Sequence, residues 1–292
     1  MSNSSVDSRT RGRSEPGATN TDEATVNSFG EQWTRFDQAA LADGELRMLF
    51  DDYFRIFPWE VLTGECRGAD IGCGSGRWAR FVADRVGELH CVDPSGDALE
   101  VAARNLSAFS NVQFHRAGVG ELPFGESSLD FAYSLGVLHH VPDTSAAVKS
   151  IARTLKRGAP LLLYLYYAFD NRPAWYRLIW KSSDAVRRVV AFLPPRAKSV
   201  LCDAIAVLVY WPLARCARVV SAMGGDVSSF PLALYRDRSL YSMRTDARDR
   251  FGTPLEQRFR ADAIRQMMTE AGLTNIRLSD LPPYWCAVGS KA

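Results

Sequence analysis

The stretch Ala69-Asp-Ile-Gly-Cys-Gly-Ser-Gly-Arg77 decides how the rest of the chain is read. Residues 66–72 have the character of a strand running into a glycine-rich turn, and residues 77–86 that of a helix. Glycines at 72, 74 and 76 permit a tight turn and let a ligand approach the backbone closely. The spacing is G-x-G-x-G. A dinucleotide fingerprint, G-x-G-x-x-G, needs glycine at 77, where the chain has Arg77. A dinucleotide-dependent oxidoreductase is disfavoured on that ground.

Further along, Cys91-Val-Asp93 puts an acid at the end of a short strand over 88–93, 21 residues past Gly72. A carboxylate in that place accepts hydrogen bonds from both ribose hydroxyls of a nucleoside. Loop and acid in register imply a nucleoside-bearing cofactor. The bland alternative is a plain αβ turn with a surface aspartate. A helix is expected over 98–107, capped by Ser95 or Asp97. Strands are expected at 111–115 and 129–134, and a helix over 144–155 closed by Gly158 as its C′ residue. Residues 161–167 form a continuous apolar run of the buried parallel-strand kind. This alternation predicts a doubly wound α/β fold with right-handed crossovers. It returns at the end of the chain as a helix over 261–271 and strands at 275–278 and 284–289. Between 171 and 250 it gives way to helical periodicity over 175–192 and 200–223, with Pro194-Pro195 between.

With 292 residues, 47% hydrophobic and 23% charged, the composition is globular and large enough for a full core in one or two domains. A net charge of +2 argues against a whole-molecule electrostatic grip on nucleic acid. The charge is uneven. Residues 170–260 hold sixteen Lys and Arg against eight Asp and Glu, or +8, which leaves −6 for the remainder. Six cysteines show no C-x-x-C pair and no short Cys/His cluster, so neither a zinc site nor a disulfide scaffold is expected. Free thiols suit a reducing cytoplasm. Residues 1–28 lack aromatics and are expected to be a disordered tail without a secretory signal. The most apolar stretch, 200–213, contains Asp203 and Pro212 and falls short of the roughly 20 residues that span a bilayer. Aromatic residues at 29, 33 and 36, then 50, 53 and 54, fall at helical spacing and predict two N-terminal helices ending near Pro58.

The run through residues 69–77 and Val92-Asp-Pro-Ser95 resembles the class I S-adenosylmethionine-dependent methyltransferases. Residues 121–143 (ELPFGESSLDFAYSLGVLHHVPD) and 150–164 (SIARTLKRGAPLLLY) resemble the common small-molecule branch of that family. The resemblance implies a Rossmann-like seven-stranded sheet with a helical insertion after the fifth strand. Its cofactor would be S-adenosylmethionine. By that resemblance Asp70 would hold the methionine amino group, and Gly72, Gly74 and Gly76 would carry the loop packed against methionine and ribose. Asp93 would bind the ribose and Pro94 would line the adenine pocket. Gly118 and Val119 would sit at the adenine edge, where the family often has an acid. Ser134 and Leu135 would follow the fourth strand beside the cofactor.

A methyl group moves by in-line displacement from a sulfonium, and a base is needed only when the nucleophile keeps its proton at neutral pH, as a hydroxyl does. His139 and His140, half of the four histidines, follow the fourth strand and are the candidate bases. Either could instead anchor the loop before Pro142. Trp33, with Phe29, resembles an N-terminal cap over the cofactor; core packing on an amphipathic helix is the alternative. Tyr164, Tyr166 and Tyr167 end the fifth strand. Alternation puts Tyr164 and Tyr166 on one face and Tyr167 on the other, with Tyr166 or Tyr167 lining an acceptor pocket. Arg236, Arg238 and Arg244 lie in a basic run whose forked guanidiniums match carboxylate or phosphate.

The expected organisation is a tail over 1–28, a helical cap over 29–58, a cofactor-binding core over 59–170, a basic substrate lid over 171–250, and a C-terminal return to the core over 251–292. The expected activity is methyl transfer to a small or medium-sized metabolite. O-methylation is favoured by the candidate base, and an anionic acceptor by Arg236 and Arg244. The rivals are a cofactor-binding relative without methyl transfer and an enzyme acting on a lipid at a membrane surface. Basic helices with Trp175, Trp180 and Trp211 fit the second. A cytoplasmic location, no nucleic-acid partner, no metal, and a homodimer left open complete the expectation.

Overall fold

The computed structural model describes residues 20–38 and 41–292. Seven strands form one sheet in the order β3-β2-β1-β4-β5-β7-β6. They are β1 (Arg67–Ile71), β2 (Glu88–Asp93), β3 (Val112–Arg116), β4 (Phe131–Leu135), β5 (Pro160–Tyr164), β6 (Leu273–Leu278) and β7 (Cys286–Lys291). The first five run parallel, whereas β7 pairs antiparallel with both β5 and β6. The doubly wound seven-stranded sheet is as expected, and the return after β6 reverses the last strand. Strand order reverses between β1 and β4, and the carboxyl ends of strands at such a switch point are where ligands bind.

The central strands are buried on both faces, so their apolar run is continuous, and alternate residues feed two cores. Leu161 and Leu163 pack with α5 (Thr144–Thr154) and α10 (Ala261–Glu270). Leu162, Phe131 and Tyr133 pack on the other side with α2 (Asp43–Tyr53), α3 (Ala79–Val82) and α4 (Gly96–Asn105). Ser95 caps α4, its oxygen accepting from Ala98 N at 3.3 Å, and Asp143 caps α5 in the same way at 2.8 Å. Gly158 is not the C′ residue of α5, which ends at Thr154; it takes φ +82° in the turn before β5, with its N–H on the Lys291 carbonyl.

The inserted segment builds a third, separate core. Helices α6 (Ala174–Val190), α7 (Pro195–Ile205), α8 (Trp211–Ala222) and α9 (Leu240–Gly252) bury Val190, Cys202, Tyr210, Ala214, Met243 and Phe251 together. Through one π turn, α7 and α8 make a continuous helix of 28 residues, Pro195–Ala222. By length and composition it could cross a membrane, so the judgement that the apolar stretch is too short is corrected. Asp203 and Pro212 do not interrupt it: Asp203 is ion-paired, and Pro212 sits in the first turn of α8.

Residues 20–28, expected to belong to a disordered tail, are ordered. Helix α1 spans Glu23–Arg35, capped by Asp22, and residues before it are tied down. Asn20 exchanges two hydrogen bonds with the Asp143 backbone, at 2.8 and 3.0 Å. Residues 1–19 lie outside the described residues.

Candidate active site

At the carboxyl edge of the sheet the loops after β1, β2, β4 and β5 surround a cavity of about 550 Å³. Its floor is Gly72, Cys73, Asp93, Pro94, Leu135, Gly136 and Val137. Its walls come from α1, α2, the segment after β5 and the insertion.

The glycine loop is shaped by backbone that only glycine tolerates. Gly72 has φ +79°, and a Cβ there would meet the Val137 methyls at 2.4 Å. Gly74 has φ +54°, and a Cβ there would meet the Trp33 indole at 2.7 Å. Helix α1 therefore lays Trp33 directly on the loop, where it lines the cavity. The loop is strapped to β2: the N–H groups of Gly72 and Cys73 both donate to the Val92 carbonyl, at 2.7 and 3.1 Å.

Asp93 ends β2 facing this floor. Its Oδ2 accepts from Gly74 N at 3.0 Å and its Oδ1 from Ser95 N at 2.9 Å. Each oxygen keeps a second lone pair for a ligand hydroxyl. Burial pushes its carboxyl up to about 6, against the pull of those two donors. Asp70, behind the loop, is fully buried opposite Tyr133 of β4. Its Oδ2 makes no close hydrogen bond, and its only side-chain donor influence is the neighbouring Tyr133 hydroxyl, which pulls its pKa down. Burial, aided by the nearby Asp93 charge, pushes Asp70 up to about 8.

The chemistry-bearing wall lies opposite. His140 Nδ1 is 2.6 Å from the Leu255 carbonyl, which only accepts, so Nδ1 carries the proton. Its Nε2 faces Asp249 Oδ1 of α9 at 3.5 Å. The other Asp249 oxygen accepts from the Tyr166 hydroxyl at 2.8 Å. Asp246, one turn earlier on α9, also lines the cavity, and burial pushes it up to about 6 despite the Arg77 charge. Six arginines line the cavity, namely Arg77, Arg172, Arg236, Arg238, Arg250 and Arg258. Arg238 is paired with Asp52, Arg258 with Glu256 and Arg236 with Asp237. Among the described residues Arg77, Arg172 and Arg250 have no carboxylate partner. Arg77 lies over the Trp33 and Trp78 rings, at 5.3 and 4.4 Å from their centroids.

Of the residues singled out in the sequence, Trp33, Gly72, Asp93, Pro94, Leu135, His140, Tyr166, Tyr167 and Arg236 line the cavity. Asp70, Gly74 and Gly76 support it from behind; Gly76 lets the loop pack on Leu106 and Ala102 of α4. Others stand elsewhere. Ser134 is buried and donates its hydroxyl to the Ile71 carbonyl at 2.8 Å. Gly118 and Val119 are not in the wall, and Val119 belongs to the core beside α5. His139 is fully buried, its ring stacked 3.8 Å from that of Tyr166 and its Nδ1 accepting from Tyr166 N. Burial holds it neutral, and it packs rather than reaches the cavity. Arg244 points away, forked on Asp203 at 2.9 and 3.0 Å. Tyr164, Tyr166 and Tyr167 all line the cavity, contrary to the alternation expected, because β5 stops at Tyr164.

The sequence reading missed Asp246, Asp249 and Arg77. The signal available was the D-x-x-D pair in residues 246–249, which shares one face if that segment is helical.

A family model described as a methyltransferase domain matches residues 69–163, the span from β1 to β5. Residues 69–163 thus match a methyltransferase domain, on five parallel strands of a seven-stranded sheet. Over 117 residues the chain is 33% identical to the uncharacterised methyltransferase YcgJ of Bacillus subtilis, covering 38% of this chain and 46% of that protein. It is 33% identical over 100 residues to phosphoethanolamine N-methyltransferase 2 of Caenorhabditis elegans, covering 33% of this chain and 23% of that one. It is 29% identical over 96 residues to a demethylmenaquinone methyltransferase of Bacillus licheniformis, covering 32% and 41%. The chain thus spans less than half the length of these curated relatives.

The methyltransferase floor fits S-adenosylmethionine, the cofactor of such domains. Asp93 offers free lone pairs to ribose hydroxyls, Pro94 and Leu135 offer apolar surface, and the glycine loop leaves its backbone bare of Cβ atoms. The unpartnered Asp70 Oδ2 stands behind the loop as an acceptor for an ammonium.

Proposed function

We propose that this chain is an S-adenosylmethionine-dependent methyltransferase that O-methylates a small or medium-sized anionic metabolite. One observation carries the reading. A single cavity joins the Gly72–Asp93 floor to the His140–Asp249 pair and to three arginines without carboxylate partners. The cofactor, when bound, supplies a methyl group on a cationic sulfonium. An acceptor hydroxyl holds its proton at neutral pH, so oxygen methylation needs a place for that proton. His140 Nε2 and Asp249 Oδ1 offer one: both residues line the cavity, and neither atom, each buried in that wall, has a hydrogen-bond partner. Tyr166 and the Leu255 carbonyl hold the two groups in orientation.

Arg77, Arg172 and Arg250 favour a carboxylate or phosphate on the acceptor. That one relative is named for phosphoethanolamine supports the same reading. The aromatic walls, among them Tyr53, Phe29, Tyr176 and Tyr235, exclude water from the reacting groups. We place the protein in the cytoplasm, as its free cysteines suggest.

Calorimetry with S-adenosylhomocysteine tests the first half of the reading, and methyl transfer to matched anionic and neutral hydroxy-metabolites tests the second. Binding of the product and preference for the anionic members are expected. Absence of binding, or preferential binding of NAD, overturns the assignment.

A further inference from the structure

Helix α6 presents three faces. Val190 and Arg187 point inward and are buried. Trp175, Leu178, Ile179, Val186 and Val189 share a second face, with Ser182 in the gap between Ile179 and Val186, and all are exposed, Leu178 to 66% and Val189 to 67%. Phe192, just past the helix, is 80% exposed. Between these two faces runs a third, carrying Arg177, Lys181 and Arg188, each exposed. The outer side of α7 and α8 extends the pattern, with Val200 and Leu208 at 70% and 73% exposure and Trp211 beside them. Arg196 and Arg218 are exposed there too. Among the described residues 171–225 no acid is exposed, since Asp184 and Asp203 are both partly buried in ion pairs.

A soluble monomer rarely leaves so much apolar surface in one place without a use for it. We propose that this face docks on an anionic lipid membrane surface. The apolar stripe of α6 and the outer side of α7–α8 enter the boundary between headgroups and acyl chains, and Arg177, Lys181 and Arg188 meet the lipid phosphates. Exposed tryptophans at 175 and 211 suit that boundary, having one apolar and one polar side. The helix Pro195–Ala222 lies on the membrane rather than across it. Cys202, Ala206, Tyr210 and Ala214 are buried in the third core, and Asp203 is tied to Arg244 and Arg35. A second copy of the chain is the poorer occupant, because a symmetric pairing brings the basic stripes against each other. The docking face also adjoins the cavity, which Arg172 and Tyr176 line from the start of α6.

The proposal stands apart from methyl transfer and is tested without cofactor, by sedimenting the full chain with phosphatidylcholine vesicles, with and without phosphatidylglycerol. At low salt it should bind the anionic vesicles at least about tenfold more tightly than the neutral ones. Leu178→Ser with Val189→Ser, and separately Arg177→Glu with Lys181→Glu, should each weaken that binding about tenfold or more while thermal melting stays unchanged. Wild type left in the supernatant with anionic vesicles overturns the proposal, as do variants that bind like wild type. A dimer seen by light scattering that Leu178→Ser with Val189→Ser dissolves, with no vesicle binding, also overturns it and assigns the face to a second copy.

Discussion

His140 Nε2 and Asp249 Oδ1 stand 3.5 Å apart across the cavity wall, one on the turn after β4 and the other on the last helix of the insertion. Both are lone-pair atoms in the tautomer that the Leu255 carbonyl selects, so the two together are a candidate acceptor for one proton. The insertion therefore supplies half of this candidate proton site as well as part of the cavity wall.

That relationship predicts the effect of Asp249→Asn. It should lower kcat by about 10²- to 10⁴-fold, the usual range for a lost general base, and leave the affinity for S-adenosylhomocysteine within about twofold. His140→Gln should act alike, and the double variant should be no worse than either single one. Single-turnover methyl transfer with calorimetry checks this. Additive losses in the double variant would separate the two residues.

Asp93→Ala should weaken S-adenosylhomocysteine binding roughly ten- to a hundredfold, the value of about 1.5–3 kcal/mol for a charge-assisted acceptor. Because burial raises this carboxyl to about 6, wild-type affinity should also decline as pH falls through that value. Binding curves from pH 5 to 8 test it, and an Asp93→Ala protein without the decline ties the titration to this residue.

Asp70 gives a prediction about stability. Its folded pKa of about 8 lies above the ordinary aspartate value of 3.8, so the folded state favours the protonated form. Stability is then intact at pH below 3.8 and is lost progressively as pH rises toward 8. Asp70→Asn removes that loss. It should melt several degrees higher than wild type at pH 8, at about 2–4 °C per kcal/mol for a protein near this size, with no advantage at pH 4. The same variant should bind cofactor more weakly if Asp70 accepts from its ammonium. Equal melting at both pH values would show that the carboxyl is not strained by burial.

The sheet was legible from the sequence because each of its signals is local: a glycine loop, an acid 21 residues on, and apolar runs of strand length. Helix α9 was not, although it carries half of the candidate proton site. Its sequence, LYSMRTDARDRFG, buries Ser242, Thr245 and Arg248 alongside Met243 and Ala247. Those polar residues are held by partners far away in the chain, Arg248 by Glu31 and Ser242 by Glu45. Apolar periodicity therefore says nothing about which way α9 faces. The start of α1 was missed for the same reason, since hydrogen bonds hold it rather than apolar area.

Truncation separates the two views of that start. Asn20 holds the Asp143 backbone through two hydrogen bonds, Ser28 donates to the Gly252 carbonyl at 3.1 Å, and Thr25 accepts from Leu255 N at 3.3 Å. At about 1 kcal/mol per hydrogen bond, removal of residues 1–28 should lower stability by a few kcal/mol. It should also loosen Leu255, and through it the orientation of His140. Urea unfolding of this truncation against the full chain measures the loss. An unchanged midpoint would return residues 20–28 to the tail.

Arg236 and Arg244 looked equivalent in the basic run, and the structure separates them. Arg236 lines the cavity, ion-paired among the described residues with the exposed Asp237 at 3.1 Å, so an anionic acceptor can compete for it. Arg244 is spent on Asp203, which Arg35 also binds, and it lies outside the cavity wall. Arg236→Ala should therefore raise the KM for an anionic acceptor several-fold with little change in kcat, the signature of lost uniform binding. Arg244→Ala should leave both constants alone and cost no more than about 1 kcal/mol of stability, because the pair is partly exposed to solvent. Steady-state kinetics and melting on the two variants decide the matter. If Arg244→Ala shifts KM instead, the acceptor is held from the α7 side and not by Arg236.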